Sequence, residues 1–341
     1  MDITLNGLEQ ICLAYIDDII VFTNGNEQTH IEAVIKVLQR IKEKGLVLSK
    51  KKSKLLQTQV EYLGLKIGEN GQLTLTNNIQ EKLHMFPDKL ENRKQIQRFL
   101  GCLNYIAEQG FLKNLAKERR ILQTKISEKI PWTWTDNDTL LVKDIKQKVQ
   151  LLPSLYNPQI NDFLIVETDA SKDTWAGCLK AVIHGKALLG LDIQVNLITN
   201  PTKVNNDMKI SSEAYNTKAN NDTTVSSEVL KTDKYEHKLC KYISGTFSQA
   251  EQNYSTHERE TLACLKTLKK WKIDLIQTRF ELRTDSKYLL GFWRYKLQED
   301  YCRGRLIRWQ LQLHQFSPYL RYIKSENNHI ADTLTREWKP S

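Results

Sequence analysis

The sequence predicts a chain of mixed α and β structure that is divided into two or three domains. Three observations lead to this prediction. The length of 341 residues exceeds that of one ordinary domain. Short apolar or alternating segments, which are typical of strands, recur in both halves. Amphipathic stretches with helical spacing lie between them. Hydrophobic residues make up 40% of the chain and include nine Phe, thirteen Tyr and seven Trp, so globular cores are expected.

The charge and cysteine content narrow the class of protein. The formal net charge is +10, and the basic residues are spread along the whole chain. This distribution fits a surface that binds a polyanion, although ordinary solvated lysines would give the same count. No apolar run is long enough to span a membrane, and the first ten residues lack the features of a signal peptide. The six scattered cysteines favour a reducing compartment. We therefore expect an intracellular, non-secreted protein.

The first element is a hairpin that carries two acids. The sequence ICLAYIDDIIVF predicts a strand, a tight turn and a second strand, with Asp17 and Asp18 at the tip. Flanking Ile16 and Ile19 would desolvate these adjacent carboxylates, which then repel each other unless a cation lies there. The alternative is a pair of ordinary, solvated turn residues.

A helix, a second hairpin and a helical region follow in order. Residues 29–44 have helical apolar spacing, with Thr29 and Glu32 as a capping box and Gly45 as the stop. The segment VEYLGLKIGENGQLTL predicts another hairpin. From about 77 to 130 the pattern is helical, and a further helix at about 138–152 ends before a proline. A domain boundary is expected near 155–160.

The second half begins with a strand that ends in an acid. FLIVETD predicts a strand closing at Asp169, and WAGCLKAVI predicts its hairpin partner. Between 195 and 234 the sequence has 17 Asn, Ser or Thr and one aromatic residue, Tyr215. Such a segment buries too little to offset its ordering entropy, so 187–235 is predicted to be a disordered insertion. Strand-like sequence resumes at KYISGTF.

Four acids stand where apolar patterning favours another residue type. Asp169 and Asp285 end apolar strands, where each could also cap the turn or helix that follows. Glu260 lies on the apolar face of a helix that begins near Ser255. Asp332 lies in a last short helix, where a solvated first-turn acid is the alternative. Four carboxylates converging on one sheet edge would need divalent metal, and two metals roughly 4 Å apart can catalyse phosphoryl hydrolysis.

The motifs together resemble a known family. YIDD, EYLG, FLGCLNYI, ETDAS, HERETLACLKTLKKW, RTDSKYLLGF and NNHIADTLTRE, in this order, resemble the polymerase region of reverse-transcribing elements. Plant pararetroviruses of the caulimovirus family are most similar, and gypsy-type retrotransposons come next. The resemblance implies an α+β / α/β chain with a partial reverse-transcriptase palm (1–75), thumb-like helices (76–130), a connecting segment (131–159) and an RNase H-like domain (160–341). That last domain would have a mixed five-stranded sheet with flanking helices.

The resemblance also implies functional residues. Asp169, Glu260, Asp285 and Asp332 match the four metal-binding, catalytic acids of the family's RNase H site, which uses Mg²⁺ or Mn²⁺. By similarity, Asp169 would bridge two ions, Glu260 and Asp285 would complete one of them, and Asp332 would complete the other.

The polymerase part of the resemblance is incomplete. Asp17 and Asp18 match the paired metal-binding acids of the polymerase, and the segment Tyr62, Leu63, Gly64 falls where the family grips the primer end. The family's third palm aspartate and its fingers subdomain have no counterpart in this sequence. We therefore expect this polypeptide alone not to polymerise DNA. In the RNase H part, His329 either replaces a mobile active-site histidine of some relatives or lies on the exposed side of the last helix.

The leading functional hypothesis is a ribonuclease that cuts the RNA strand of an RNA–DNA hybrid, with hybrid and template-primer nucleic acid as partners. Expected contacts are Thr168, Ser171 and Ser286 beside the acids and the basic residues Lys113, Lys117, Arg119 and Arg120 of the thumb-like helices. Two alternatives stay open. The chain could be a non-catalytic, nucleic-acid-binding remnant of an integrated element, or it could polymerise DNA when an N-terminal part is supplied in trans. Its location would be the cytoplasm, a virus particle or the nucleus, and its oligomeric state is left open.

Overall fold

The computed structural model describes residues 2–113, 115–188, 232–276, 278–294 and 304–324, together with residues 326, 328 and 335. The chain divides into two compact units. The first consists of residues 1–87 and 146–157, and the second consists of residues 88–145 and 158–341. The segment predicted to be thumb-like, 76–130, is shared between the two units, because its first helix belongs to the first unit and the rest belongs to the second.

The first unit contains two small sheets. β1 and β2 form an antiparallel pair, and β3, β4, β5 and β6 form a four-stranded antiparallel sheet in that order. Its helices and strands are α1 (Asp2–Leu5), β1 (Cys12–Tyr15), β2 (Asp18–Val21), α2 (Glu27–Glu43), β3 (Val60–Tyr62), β4 (Leu65–Ile67), β5 (Gln72–Leu75), α3 (Asn77–His84) and β6 (Leu155–Tyr156).

One face of the β1–β2 hairpin packs against helices α1 and α2. The buried residues of this small core are Leu5, Leu8, Cys12, Val37 and Ile41. The predicted strand, turn and strand are therefore confirmed, as is the amphipathic helix that follows them.

The start of α2 differs from the prediction. Its N-cap is Asn26, whose side-chain Oδ1 accepts a hydrogen bond from the Thr29 backbone N–H at 2.9 Å. The capping box predicted for Thr29 and Glu32 is therefore wrong, because the helix begins two residues before Thr29. An asparagine oxygen satisfies the same orphan backbone donors. The predicted stop is confirmed: Lys44 is the C-cap, and Gly45 follows with φ +69°.

The second unit is built on a mixed five-stranded sheet with the order β11-β10-β7-β8-β9. β10 is parallel to both of its neighbours, and the β7–β8 and β8–β9 pairs are antiparallel. Its strands are β7 (Phe163–Ala170), β8 (Thr174–Val182), β9 (His237–Thr246), β10 (Arg279–Thr284) and β11 (Ser317–Tyr322). The predicted mixed five-stranded sheet is confirmed.

The second unit also contains helices. They are α4 (Arg93–Glu108), α5 (Ala116–Thr124), α6 (Asp136–Gln150, whose last turn belongs to the first unit), α7 (Gly185–Leu188), α8 (Gln249–Gln252), α9 (Thr256–Lys270), α10 (Lys272–Leu275), α11 (Lys287–Arg294) and α12 (Gly304–Leu313). Helix α9 packs on β7 and β8. The approach is close at Gly177 of β8, where an added Cβ would lie 2.4 Å from Cγ2 of Thr267 on α9.

Most of the predicted insertion, 187–235, lies outside the described residues, but both of its ends are described. Residues 187 and 188 belong to α7, and residues 232–234 form a 3-10 turn in which Thr232 is fully buried. The insertion therefore ends earlier than predicted, because Thr232 makes buried hydrogen bonds to the sheet. Residues 232–235 belong to the folded domain.

Candidate active site

Two of the predicted acids meet at one edge of the five-stranded sheet. Asp169 is the second-last residue of β7, and Asp285 directly follows β10. These strands are parallel neighbours in which Glu167 is paired with Arg283. Each acid comes two residues after this pair, so both are carried to the same end of adjacent strands. Both side chains belong to half-buried residues.

The third acid, Glu260, comes from the first half of helix α9. Cys264 and Leu268, on the same helical face, are fully buried, which confirms the predicted apolar face. The Oε2 atom of Glu260 is buried, and no described residue forms a hydrogen bond to it. The Nδ1 atom of His257 lies 3.7 Å from this oxygen. Because an unpaired buried carboxylate oxygen is costly, this atom is suited to bind a cation or a donor from a ligand.

The capping box at the start of α9 accounts for a neighbouring acid. The Ser255 side chain accepts from the Glu258 backbone N–H, and the Glu258 side chain accepts from the Ser255 backbone N–H. Glu258 also contacts Arg305. The two acids of the helix therefore have different roles. Glu258 caps the helix and pairs with Arg305, whereas Glu260 takes no part in the capping box.

The fourth predicted acid, Asp332, and the neighbouring His329 lie outside the described residues. Two other residues of the same segment are described and contact the end of β7. The Thr335 hydroxyl donates a hydrogen bond to Oδ2 of Asp169. The Asn328 side chain donates to the backbone oxygen of Thr168 at 3.3 Å. Asn328 and Thr335 therefore contact the strand that carries Asp169, and neither residue was predicted to do so.

A buried ionic network lies two residues before the strand-end acids. Glu167 of β7 and Glu281 of β10 are 2% and 0% exposed. Arg283 contacts both of them, with Nε 2.5 Å from Glu281 Oε1 and Nη1 3.4 Å from Glu167 Oε1. Lys180 of β8 contacts Glu167 Oε2 at 2.7 Å. Three neighbouring strands are thus joined by charged groups, which are tolerated in the interior because they are paired.

The residues that follow the insertion complete this network. The Thr232 hydroxyl donates to Glu281 Oε2 at 2.9 Å, and Arg283 Nη2 donates to Thr232 Oγ1 at 2.8 Å. Asp233 accepts from Arg283 at 2.9 Å and also contacts Arg321 of β11. The sequence contained one signal for this network, because the acid, base, acid alternation of ELRTD places three charged residues on one face of a strand.

The serines beside the acids have local partners. Ser286 is buried, and its hydroxyl accepts from the Leu289 backbone N–H at 3.2 Å at the start of α11. The Ser171 Oγ atom lies 2.8 Å from Thr174 Oγ1 in the β7–β8 turn. Thr168 is buried on β7. Nucleic-acid contact by these side chains stays a prediction.

The acids of the first unit have a different environment. Asp17 lies in the β1–β2 turn, Asp18 opens β2, and Tyr15 is paired with Asp18. Both acids are exposed. The expected desolvation by Ile16 is wrong, since that side chain is 71% exposed. Ile16 lies in the turn with φ +53°, a left-handed conformation that is uncommon for a β-branched residue.

The predicted primer-contacting segment forms a second turn in the first unit. Leu63 and Gly64 have φ +50° and +80°, the signs required of a two-residue hairpin turn between β3 and β4. Burial raises the pKa of Tyr62, and the nearby Asp18 carboxylate and Tyr15 add to this.

The four basic residues predicted to contact phosphate are not equivalent. Lys113 is exposed and Lys117 is half-buried. Arg119 donates to Oδ1 of Asn104, and its burial lowers the pKa of its guanidinium, which Glu108 opposes. Arg120 Nη1 donates to the backbone oxygen of Phe247 at 2.7 Å and so ties α5 to the end of β9. The two arginines already have protein partners, which leaves Lys113 as the most accessible of the four.

Comparison with known proteins decides the family. A family model described as reverse transcriptase (RNA-dependent DNA polymerase) matches residues 1–67, and one described as the RNase H-like domain found in reverse transcriptase matches residues 216–316. The enzymatic polyprotein of Soybean chlorotic mottle virus is 56% identical over 100% of this chain and 50% of the relative. This chain matches the reverse-transcriptase and RNase H region of pararetroviral polyproteins. The predicted family is confirmed.

Two other relatives of this pararetroviral region are similar along nearly the whole chain. The enzymatic polyproteins of Cestrum yellow leaf curling virus and Cauliflower mosaic virus (strain NY8153) are 49% and 37% identical, and each match covers 99% of this chain. The matches cover 46% and 42% of those relatives. The pararetroviral region described here therefore spans about half the length of the curated relatives that it matches.

Solved structures support the fold of the region. The foamy viral protease-reverse transcriptase in complex with RNA/DNA hybrid matches with a TM-score of 0.70 and 19% identity, over 100% of this chain and 38% of that chain. The same kind of protein in complex with dsDNA matches with a TM-score of 0.66 and 20% identity, over 95% of this chain and 56% of that chain. In the part of the pararetroviral region that is described, no helix has the length and apolar character needed to cross a membrane.

The acids of the RNase H-like part can be tested for their fit to a metal. Among the described residues, no group of three or more His, Cys, Asp or Glu side chains is gathered closely enough to hold one. The donors at the sheet edge are nevertheless carboxylate oxygens, which Mg²⁺ prefers, and Mg²⁺ usually takes only one or two carboxylates together with waters and substrate phosphates. The Oε2 atom of Glu260 is buried and accepts no hydrogen bond from a described residue, so it is a further oxygen that could bind the ion. The donor set therefore fits magnesium.

Proposed function

We propose that this chain hydrolyses the RNA strand of RNA–DNA hybrids and is the nuclease part of a longer reverse transcriptase. One observation carries the proposal. Asp169 and Asp285 end adjacent parallel strands, and Glu260 on the helix packed against β7 has a buried oxygen without a hydrogen-bond partner. Carboxylate oxygens brought to one end of a sheet are suited to bind divalent cations, which in turn bind a phosphate group.

The residues of the chain would divide the work as follows. Asp169, Glu260 and Asp285, with Asp332 by resemblance, would hold Mg²⁺ or Mn²⁺. Bound in this way, the metal supplies a more acidic water and neutralises charge that develops on the scissile phosphate. The sheet keeps Asp169 and Asp285 in place, because the strands that carry them are hydrogen-bonded to neighbours on both sides.

Two observations support an RNA–DNA hybrid as the substrate: the fold shared with a reverse transcriptase and the positive net charge. The foamy viral enzyme that shares the fold has been solved with an RNA/DNA hybrid. The net charge of +10 favours a nucleic-acid partner of this kind. Discrimination would come from backbone contacts that tell the 2′-OH of RNA from the 2′-H of DNA across the minor groove.

The experiment is cleavage of a labelled RNA–DNA hybrid in Mg²⁺ by the full chain, with double-stranded DNA as the control substrate. Asp285→Asn should lower hybrid cleavage by more than about 100-fold, which exceeds the 10–100-fold typical of residues that only support a metal ligand. Glu236→Gln changes a carboxylate of the same unit that is 76% exposed, so it should cleave normally. A folded chain that binds hybrid but does not cut it would instead favour a non-catalytic nucleic-acid-binding protein.

A second activity is proposed for the first unit. We infer that it contributes the paired acids Asp17 and Asp18 to DNA polymerisation within a longer polypeptide. The match of residues 1–67 to the reverse-transcriptase family supports this. Primer extension should require an added N-terminal fragment from a relative, and Asp18→Asn should abolish it. Extension by this chain alone would contradict the need for that fragment.

A further inference from the structure

The described contact partner of Asp169 in the C-terminal segment is a threonine. The Thr335 hydroxyl donates to Oδ2 of Asp169 across 166 residues of sequence. Thr335 is 1% exposed, so water does not compete for this hydroxyl. A hydroxyl that donates to a carboxylate forms a charge-assisted hydrogen bond, which is stronger and more directional than a neutral one.

Thr335 is itself held by the β7–β8 turn. The Thr174 hydroxyl donates to the Thr335 backbone oxygen at 3.1 Å, and Thr174 is also 1% exposed. The Ser171 Oγ atom lies 2.8 Å from Thr174 Oγ1. The Ser171 hydroxyl also donates to the Thr174 backbone oxygen at 3.3 Å. Ser171 and the Thr335 carbonyl therefore both hold the Thr174 side chain in place.

These contacts form a closed loop around one carboxylate. Asp169 is joined by hydrogen bond to Thr335, which is joined to Thr174, which stands on the strand paired with the strand of Asp169. A second contact, from Asn328 to the Thr168 backbone oxygen, fixes the same strand end. A carboxylate held by one oxygen cannot rotate freely, so the direction of its other oxygen is also set.

We propose that Thr335 is a positioning residue that orients the Asp169 carboxylate for metal binding. This inference rests on the proposed nuclease function only for its effect on cleavage, because its effect on metal affinity can be measured separately. Residues that orient a metal ligand by hydrogen bonding typically contribute 10–100-fold to metal affinity or activity. Thr335 would act through Asp169 and would not touch the substrate.

The test compares three variants of the full chain. Thr335→Val removes the hydroxyl with little change in shape, and Thr335→Ser keeps the hydroxyl. Thr267→Val is the matched control, because Thr267 is also fully buried but its hydroxyl has no described hydrogen-bond partner. Mn²⁺ affinity is measured from the loss of the free-ion electron paramagnetic resonance signal. Hybrid cleavage is measured as kcat and KM over a range of Mg²⁺ concentrations, and thermal midpoints report folding.

The proposal predicts a specific pattern. Thr335→Val should raise the Mn²⁺ dissociation constant about 10-fold and lower kcat by a similar factor, with KM for hybrid unchanged. Thr335→Ser and Thr267→Val should stay within about 3-fold of the unaltered chain in all three quantities. If valine prevents folding, Thr335→Ala removes the same hydroxyl without a branched side chain.

The outcomes separate the two proposals. Unchanged Mn²⁺ affinity in a folded Thr335→Val or Thr335→Ala variant would overturn the positioning role, whether or not the chain cleaves hybrid. A chain whose Mn²⁺ binding depends on Asp169 and Thr335, yet which never cuts hybrid, would support the positioning role and overturn the nuclease. Mn²⁺ binding that Asp169→Asn leaves intact would overturn both.

Discussion

The two units carry acids on strand ends in different surroundings. In the second unit, β7 is the central strand of five and β10 lies between β7 and β11. In the first unit, Asp17 and Asp18 lie on a hairpin that pairs with no further strand among the described residues. The outer face of that hairpin leaves Leu13 and Tyr15 more than half exposed. Catalytic groups need supporting neighbours to hold them in place, and only the second unit provides them within the described residues.

The difference extends to how each unit is held together. The second unit contains the buried ionic network of Glu167, Glu281 and Arg283. Glu167 and Arg283 each come two residues before a strand-end acid. The described ion pairs of the first unit, such as Lys66 with Glu61 at 3.9 Å, are partly or largely exposed. Removing one partner of a buried ion pair strongly lowers the stability of a protein, whereas an exposed ion pair contributes little to it. The second unit should therefore depend far more on its charges.

The largest expected effect comes from breaking that network. Glu281→Ala should lower the free energy of unfolding of the second unit by about 3–5 kcal/mol, because it leaves the charge of buried Arg283 incompletely paired. Glu61→Ala, the matched change in the first unit, should cost less than about 1 kcal/mol, because its side chain is 53% exposed. Urea unfolding of both variants measures the difference.

Tryptophan fluorescence makes this measurement specific. All seven tryptophans lie in the second unit, at 132, 134, 175, 271, 293, 309 and 338. Far-UV circular dichroism reports on both units. If the first unit is less stable, circular dichroism should show an early transition to which fluorescence is silent. Coincident transitions would mean that the two units unfold together, and the comparison of their stabilities would then fail.

A smaller effect is expected from the packing of a single glycine. Gly177→Ala places a Cβ 2.4 Å from Cγ2 of Thr267, whose branched side chain is stiff in a helix. Overpacking of this kind typically costs about 1–3 kcal/mol, which the fluorescence transition should report. Gly68→Ala in the first unit meets its nearest atoms at 3.7 Å, so it should stay within about 0.5 kcal/mol. Equal effects at the two positions would show that the sheet of the second unit is no more tightly packed.

Much of the second unit could be predicted from local patterns. The apolar run ending at Asp169, its hairpin partner and the helix carrying Glu260 are all short-range signals, and the structure has each of them. The alternation in ELRTD indicated the charged residues of β10, but their partners could not be predicted, because Glu167 and Arg283 are 116 residues apart and only the strand pairing brings them together. Thr232 was missed for a related reason, since a composition count over a window cannot separate one buried threonine from its neighbours.

In the first unit, local patterns predicted the hairpin and the helix but not their surroundings or exact ends. Alternation correctly predicted the β1–β2 hairpin, but it could not tell what covers the outer face, so the desolvation expected at Asp17 and Asp18 was wrong. The start of α2 was also misplaced. Asn26 and Thr29 are both good N-cap residues, and sequence alone does not say which of them the helix uses.

The smallest expected effect comes from removing the N-cap of one helix in each unit. Asn26→Ala removes the cap of α2, and Ser255→Ala removes the capping box of α9, each at a cost of about 1 kcal/mol. Asn26→Ala should shift only the early circular dichroism transition, whereas Ser255→Ala should shift the fluorescence transition. Thr29→Ala is the comparison variant. It removes the Thr29 hydroxyl, which donates to Asn26 Oδ1 at 2.9 Å, but keeps the backbone N–H that donates to the same oxygen, so it should cost less than Asn26→Ala. A larger loss from Thr29→Ala than from Asn26→Ala would return the cap to Thr29 and contradict the structure at this helix.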